Sequence, residues 1–336
     1  MQKILEEDIK NFALTFKLAE RLIGKKFLVT GATGLIGSIL VRCLLSLNKN
    51  IEITCPVRNK TKAKNILREE TEKINLIECE LGEFFINIPK GFDYIIHCAS
   101  PTSGSYMMKH PVETYEFAFD STKKILNYIK ENSVKGMVYV SSLEYYGQIL
   151  DDHIIMENTQ GYIDMMNPRN SYPMGKRATE YLCTIYAQEY GVNVKIARLT
   201  QTFGAGISKD DNRVFAQFAK SVIGGNDIIL HTTGESAKPY CYTTDCISAI
   251  LYILLKGKNG EAYNVANPDT YISIRDMANL CLQFSPKNKI RIELHPEMGY
   301  APTTKLHLST DKLMNLGWSP NYNLTQMFER LIAWLK

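Results

Sequence analysis

A short apolar strand, Lys26–Thr30, runs into Gly31-Ala32-Thr33-Gly34-Leu35-Ile36-Gly37 and then into an apolar segment over 38–47. Few local patterns restrict a fold so tightly. Glycines spaced G-x-x-G-x-x-G between a strand and a helix suit a dinucleotide-binding turn. Gly31 permits the tight turn, and Gly34 lets backbone N–H groups approach a pyrophosphate at the helix N-terminus. Gly37 lets the helix close on the sheet. Read alone, the triplet would also suit a loop that merely needs flexibility. Its flanks favour the dinucleotide, so Gly31, Thr33, Gly34, Leu35, Ile36 and Gly37 are the expected cofactor-binding run.

Strand-like and helix-like apolar patterns alternate from this point to residue 198, with strands expected near 26–30, 51–57, 74–79, 93–97, 136–141 and 193–198. Such alternation implies an α/β fold, a Rossmann-type doubly wound parallel sheet with right-handed crossovers. After Gly204 the pattern changes: a helix near 214–223, a strand at 227–231, a helix over 244–255, a strand at 261–265 and a helix over 273–284. Ahead of the first strand, residues 3–23 carry apolar side chains at helical spacing. They are expected to form an added helix, packed on the outside of the fold or on a partner.

A second motif lies far downstream, Tyr172-Pro173-Met174-Gly175-Lys176. Tyrosine and lysine four apart share a helix face, so both heads can reach one site. A phenol near its ordinary pKa of about 10 is a poor base at neutral pH. A neighbouring ammonium, together with a cationic nicotinamide, is expected to favour the phenolate. The helix should run to Glu189 and end near Gly191. With 19 tyrosines in the chain the spacing could arise by chance. The glycine run, and Ser141-Ser142-Leu143-Glu144-Tyr145-Tyr146-Gly147 at a strand end, give it weight.

Together these pieces resemble the extended short-chain dehydrogenase/reductase family, the nucleotide-sugar epimerases and dehydratases. The resemblance covers roughly 25–336. Asp93-Tyr94-Ile95-Ile96-His97-Cys98-Ala99-Ser100-Pro101 is similar to the family's strand beneath the cofactor, which places Ala99 and Ser100 against it. Arg198-Leu199-Thr200-Gln201-Thr202-Phe203-Gly204, Tyr240-Cys241-Tyr242-Thr243-Thr244-Asp245, Tyr263-Asn264-Val265-Ala266 and Leu316-Gly317-Trp318-Ser319-Pro320 match later landmarks. Ala99-Ser100-Pro101, Glu144, Gly175-Lys176-Arg177 and Asn212-Arg213-Val214 look nearest to UDP-glucuronate decarboxylases, with dTDP-glucose 4,6-dehydratases close by. The resemblance implies an N-terminal helical extension over 1–24, an NAD(P)-binding Rossmann domain over 25–200, and a smaller substrate-binding region over 201–336, interleaved with returns to the sheet.

The cofactor could be NAD or NADP. An NAD site usually carries an acid at the end of the second strand. Here the family register puts Val57 there, Glu52 comes too early, and Arg58 follows at once with Lys60 and Lys62 nearby. A guanidinium suits a 2′-phosphate and could also stack on adenine. Arg58 therefore favours NADP(H), although a solvated loop arginine is the plain alternative.

The resemblance assigns the chemistry: Tyr172 moves a hydroxyl proton, Lys176 tunes it and holds the nicotinamide ribose, and Ser142 hydrogen-bonds the reacting oxygen. Ser142, not Ser141, stands five before Gly147 as in family members, so Ser141 reads as structural. Glu144 would sit near sugar C5, unless it is a loop carboxylate satisfied by backbone N–H groups. Where a dehydratase wants an acid to protonate the departing hydroxyl, this chain has Leu143. Ala118 and Gln201 both replace a usual Asn facing the cleft. Gln201, Arg213 and Lys238 are the expected substrate contacts, the last two for a diphosphate unless they are solvated charges. Tyr242 and Asp245 are expected in packing and helix capping.

Three functions stay open: a redox-neutral nucleotide-sugar enzyme making an activated sugar for surface glycans, an NADPH-dependent reductase of a keto sugar, and a non-catalytic dinucleotide sensor. The intact Ser142, Tyr172 and Lys176 argue against the last. Composition narrows the partners. A formal charge of +4 without a basic run gives no case for nucleic acid. The eight cysteines lack a C-x-x-C pair and read as reduced core residues, with no metal site expected. No apolar run reaches the roughly 18 residues of a membrane span, so a cytoplasmic enzyme is expected. A homodimer is implied by the resemblance, through the helices 111–131 and 172–190, with Leu182, Ile185 and Tyr186 as one face unless they are buried inside the one chain.

Overall fold

The computed structural model describes residues 2–84, 89–101, 103–149, 151–294 and 303–336. Its main sheet is built from β1 (Lys26–Thr30), β2 (Glu52–Val57), β3 (Asn75–Glu78), β4 (Tyr94–His97), β5 (Gly136–Ser142) and β6 (Val194–Leu199). Between β6 and the last strand of this sheet come β7 (Gln201–Phe203), β8 (Ile228–Leu230) and β9 (Ala237–Tyr242); β10 (Ala262–Val265) then returns to it. The order is β10-β6-β5-β4-β1-β2-β3, with every pairing parallel. That is the doubly wound sheet expected from the alternation. Helices cover both faces, so β5 and β6 are buried almost along their whole length, as parallel strands must be.

The reversal of strand order falls between β1 and β4, and there the carboxyl ends open a crevice. Two hydrophobic cores flank it. One lies under the sheet and includes Ile39, Leu44, Val138, Ile250 and Tyr263. The other joins Phe203, Phe215, Tyr240, Met277 and Phe328 in a smaller C-terminal region. That region adds β11 (Asn267–Ser273) and β12 (Ile290–Ile292), giving the small sheets β11-β9-β7 and β12-β8. Of its strands, sequence periodicity found only β8; the others are short or lie next to helix starts. All eight cysteines are free thiols, six of them buried. Among the described residues no helix is long and apolar enough to cross a membrane.

Three expectations change. The N-terminal segment is not one helix over 3–23: a helix spans Gln2–Thr15 and a single 3-10 turn spans Ala19–Leu22. It packs within the chain, burying Leu5, Phe12, Phe16 and Leu22 in the main core. Asp245 caps no helix. It lies in the first turn of Thr243–Lys256, fully buried, and its carboxylate accepts from the Asn321 and Tyr322 backbone and the Asn321 side chain. Burial raises it to about 6. Leu182 is buried in the chain's own core, with Ile185 and Tyr186 packed against that core, so this stripe is chiefly internal.

The N-terminal helix also brings in a charge. Asp8 is completely buried, accepting from the Tyr242 hydroxyl at 2.5 Å and from Arg330 Nε at 2.6 Å, with the Tyr322 hydroxyl at 3.3 Å. One carboxylate thus ties the first helix, β9 and the last helix together. Asp8→Ala should lower the unfolding free energy by about 3 kcal/mol, because Arg330 and Tyr242 lose their buried partner. Glu52→Ala removes only the exposed partner of Lys26 and is the near-neutral control in the same urea titrations. An Asp8 variant as stable as the control would make this network incidental.

Candidate active site

At the head of the crevice the glycine turn is constrained by the chain itself. Gly31 has φ +72°, and a Cβ there would meet the Ala99 nitrogen at 2.7 Å. A Cβ on Gly37 would lie 2.3 Å from the Gly31 oxygen. Gly34 differs, since its Cβ would meet only that oxygen, at 3.4 Å. Nothing in the chain demands the middle glycine; its bareness leaves room at the N-terminus of the helix Leu35–Ser46, where first-turn N–H groups lack intrahelical acceptors. This cradle fits a dinucleotide pyrophosphate.

The β4 end is pinned beside it. Thr30 Oγ1 accepts from the Ala99 nitrogen and lies 2.6 Å from His97 Nδ1, while His97 Nε2 is 3.2 Å from Ser121 Oγ. Ser121 donates its own proton to the Phe117 carbonyl at 2.6 Å. Nε2 of His97 must therefore donate, and Nδ1 accepts from Thr30. Burial and the nearby Lys176 hold the ring neutral, lowering it to about 3. The turn carrying Ala99 and Ser100 is fixed without a charge.

At the end of β2, Val57 is buried and Arg58 is exposed. Asn59 caps the next helix by accepting from the Lys62 nitrogen. Glu52 points away and pairs with Lys26 at 3.0 Å. An acid that the sequence reading did not weigh, Glu78, stands opposite Val57 on β3 and accepts from the Lys60 nitrogen at 3.0 Å.

The helix Ser171–Tyr190 carries Tyr172, Lys176 and Glu180 at successive steps of four, on one face. Lys176 is 2% exposed, and its Nζ donates to the Val140 carbonyl at 2.9 Å. Burial lowers it to about 8, with Glu180 opposing. Burial also pushes Tyr172 up to about 12; hydrogen bonds from Ser142 and Ser100 pull it down, and Glu144 pushes it further up. Lys176 stands one helical turn along from this phenol. Its ammonium lies 5.5 Å from the Tyr172 ring centre and is committed to Val140.

Ser142 ends β5 and caps the 3-10 turn Leu143–Tyr146, accepting from the Glu144 nitrogen at 3.2 Å. Leu143 points into an apolar cluster with Tyr146, Ile155 and Leu308. Glu144 is exposed, and its charge reaches both Tyr172 and Lys238. Burial lowers Lys238 on β9, and Glu144 opposes the shift. Ser100, Ser142, Glu144, Tyr172, Lys176 and Lys238 thus gather around one space, with Gln201 partly exposed on β7, the strand beside β9. Arg213 is not a free cation: it grips Asp211 with Nη2 at 2.6 Å and Nε at 3.1 Å. Ala118 lies in the helix contact opposite Gly175, where a Cβ added to the glycine would meet it at 3.5 Å.

Sequence reasoning missed the frame behind this space. Glu180 is buried and pairs with Arg198, which approaches through Nη2 at 2.7 Å and Nε at 2.9 Å. It also accepts from Ser141, whose structural reading therefore holds. Arg198 lies 3.4 Å over the Tyr145 ring and donates to the Tyr146 hydroxyl at 3.0 Å. Arg177 donates to the carbonyls of Tyr145, Tyr146 and Gly161. The signal was available: an acid one more helical step beyond Lys176 must be buried, and a buried acid needs a cation.

The sequence model of the NAD dependent epimerase/dehydratase family matches residues 27–266. UDP-glucuronic acid decarboxylase 6 of Arabidopsis thaliana is 27% identical over 308 residues, covering 90% of this chain and 86% of that protein. A dTDP-glucose 4,6-dehydratase from Bacillus anthracis, solved with NAD, superposes with a TM-score of 0.77 at 20% identity, covering 92% of this chain and 96% of that one. A UDP-glucose 4-epimerase from Thermotoga maritima, solved with UDP-glucose, gives 0.76 at 18% identity, covering 92% and 98%. The two structures share the fold. The chain belongs to the NAD dependent epimerase/dehydratase family, among the extended short-chain dehydrogenase/reductase enzymes, with NAD or NADP as cofactor.

Proposed function

We propose that this member of the NAD dependent epimerase/dehydratase family oxidises a nucleotide-linked sugar at its C4 hydroxyl, changes the neighbouring carbon, and restores its cofactor within the cycle. The relatives' substrates support a nucleotide sugar, and an activated sugar for surface glycans is the product class this reading implies. One observation carries it: the exposed Glu144 is near enough for its charge to raise the Tyr172 phenol, while the residue before it, Leu143, is buried in an apolar cluster. A carboxylate is thus in place beside the activated carbon, but no acid stands ready to protonate a leaving hydroxyl. That favours decarboxylation or epimerisation over 4,6-dehydration, since a β-keto carboxylate loses CO2 without a proton donor at that place.

The residues divide the work. Gly31, Thr33, Gly34, Leu35, Ile36 and Gly37 would hold the pyrophosphate, Ala99 and Ser100 would lie at the nicotinamide, and Lys176 would hold its ribose. NAD(P)+ bound there would supply the hydride acceptor and a positive charge that favours the Tyr172 phenolate. Tyr172 then takes the C4 hydroxyl proton while Ser142 holds that oxygen. Gln201 lies at the sugar. Among the described residues the Lys238 side chain has no hydrogen-bonded partner, and it is the stronger candidate for the diphosphate; Arg213 would have to loosen its grip on Asp211 to help.

A specific observation keeps a second reading. Arg58 stands exposed beside the end of β2, and a 2′-phosphate there would support NADPH and net reduction of a keto sugar. The homodimer expected from the resemblance would use the outer faces of the two long helices, where Val112, Tyr115 and Tyr181 are exposed. A strictly monomeric mass in light scattering would contradict it.

Purified protein given nucleotide sugars with trace NAD(P)+ should change the sugar's mass without net change in nicotinamide absorbance. Stoichiometric NADPH consumption would favour the reductase instead. In the active assay Tyr172→Phe should lower kcat by about 10²- to 10⁴-fold with fold and dinucleotide binding retained. Wild-type turnover in that variant would remove Tyr172 from the chemistry. Arg58→Ala should weaken NADP(H) binding several-fold and leave NAD(H) unchanged. If wild type already prefers NAD(H), the case for a 2′-phosphate at Arg58 falls.

A further inference from the structure

Tyr139 has no part in the roles assigned above, yet it touches the residue on which they converge. It sits on β5 three residues before Ser142 and is 1% exposed. Lys176 Nζ lies 4.7 Å from its ring centre, closer than to the ring of Tyr172 at 5.5 Å. Among the described residues the same nitrogen has one hydrogen-bond acceptor, the Val140 carbonyl. An ammonium has three protons to place, and burying it without partners is costly.

The groups facing Lys176 offer little else. From β4 come His97 and Cys98, the first held neutral and the second a thiol that burial pushes up. From its own helix come Tyr172, Cys183 and Glu180; burial pushes the Tyr172 phenol and the Cys183 thiol up. Glu180 is the one anion among them, and it is held by Arg198. What remains on the β5 side is the π face of Tyr139, whose quadrupole attracts a cation most strongly where water is excluded.

We propose that Tyr139 is a positioning residue, its ring a platform that keeps the buried Lys176 ammonium charged and aimed at the cleft. The ring does this, not the hydroxyl. The phenol oxygen faces Thr179 without closing a hydrogen bond. The inference rests on Lys176 being a working residue of the site, but it can be read without turnover.

The test follows the Lys176 side chain by NMR in the full chain carrying [ε-13C]lysine, its signal assigned with Lys176→Arg, while pH is raised. Wild type should titrate near about 8. Tyr139→Phe should titrate at the same pH and unfold at the same temperature or higher, since an unsatisfied buried hydroxyl is removed. Tyr139→Leu should titrate lower by about half to one pH unit, as the ring face is lost. The alkaline limb of kcat should move with it. Tyr139→Met, flexible and without a π face, gives the same readout if the leucine variant does not fold. An unchanged midpoint in the variants lacking a ring overturns the platform, as does a shift in Tyr139→Phe equal to theirs. A lowered midpoint with an unmoved kcat limb upholds the platform and overturns the role of Lys176 in turnover, so the two failures are told apart.

Discussion

Behind the cleft, the Glu180–Arg198 ion pair joins the helix Ser171–Tyr190 to β6. Both partners are about 4% exposed, so neither charge could remain there without the other. Through Ser141 the pair touches β5, and through Tyr145 and Tyr146 it holds the turn that presents Ser142 and Glu144. Arg177 secures the same turn from the next helical position. The reactive side chains reach the cleft from a helix, a strand end and a 3-10 turn. This charged frame sets those three against one another. Breaking it by removing one partner would leave a buried charge, a far larger loss than any exposed ion pair supplies.

Two further buried carboxylates solve a different problem. The C-terminal region has its own core and leaves the main sheet after β6, returning for the helix Thr243–Lys256 and for β10. Asp245 anchors the turn at Asn321 and Tyr322, and Asp8 joins the N-terminal helix to Tyr242, Tyr322 and Arg330. The Tyr242 ring crowds Gly204, where the chain crosses between the cores: a Cβ on that glycine would lie 2.4 Å from the ring. The added helix therefore braces the joint between the two cores.

Local patterns made the cofactor half readable. Glycine spacing, strand alternation and the Tyr172–Lys176 step are short-range signals whose physics is complete within a few residues, and the parallel sheet followed from them. The C-terminal region was harder because β7, β9, β11 and β12 pair across long sequence gaps and are short or irregular. Charges misled wherever their partners were distant or overlooked. Arg213 looked available, but Asp211, two residues away, already holds it. Asp245 looked like a cap, but its partners lie more than seventy residues on. Asp8 carries no local signal of burial, and only the fold brings Arg330 to it.

The account's central claim is that oxidation at C4, through Tyr172 at the carboxyl end of the sheet, is followed by return of the same hydride. A nucleotide sugar carrying deuterium at C4 tests this most directly, with catalytic unlabelled cofactor and product analysis by mass spectrometry. A redox-neutral enzyme sends the deuterium to the cofactor and back, so the product should keep it. Product formed without deuterium, or formed only when unlabelled NADPH is supplied in stoichiometric amount, would contradict the account.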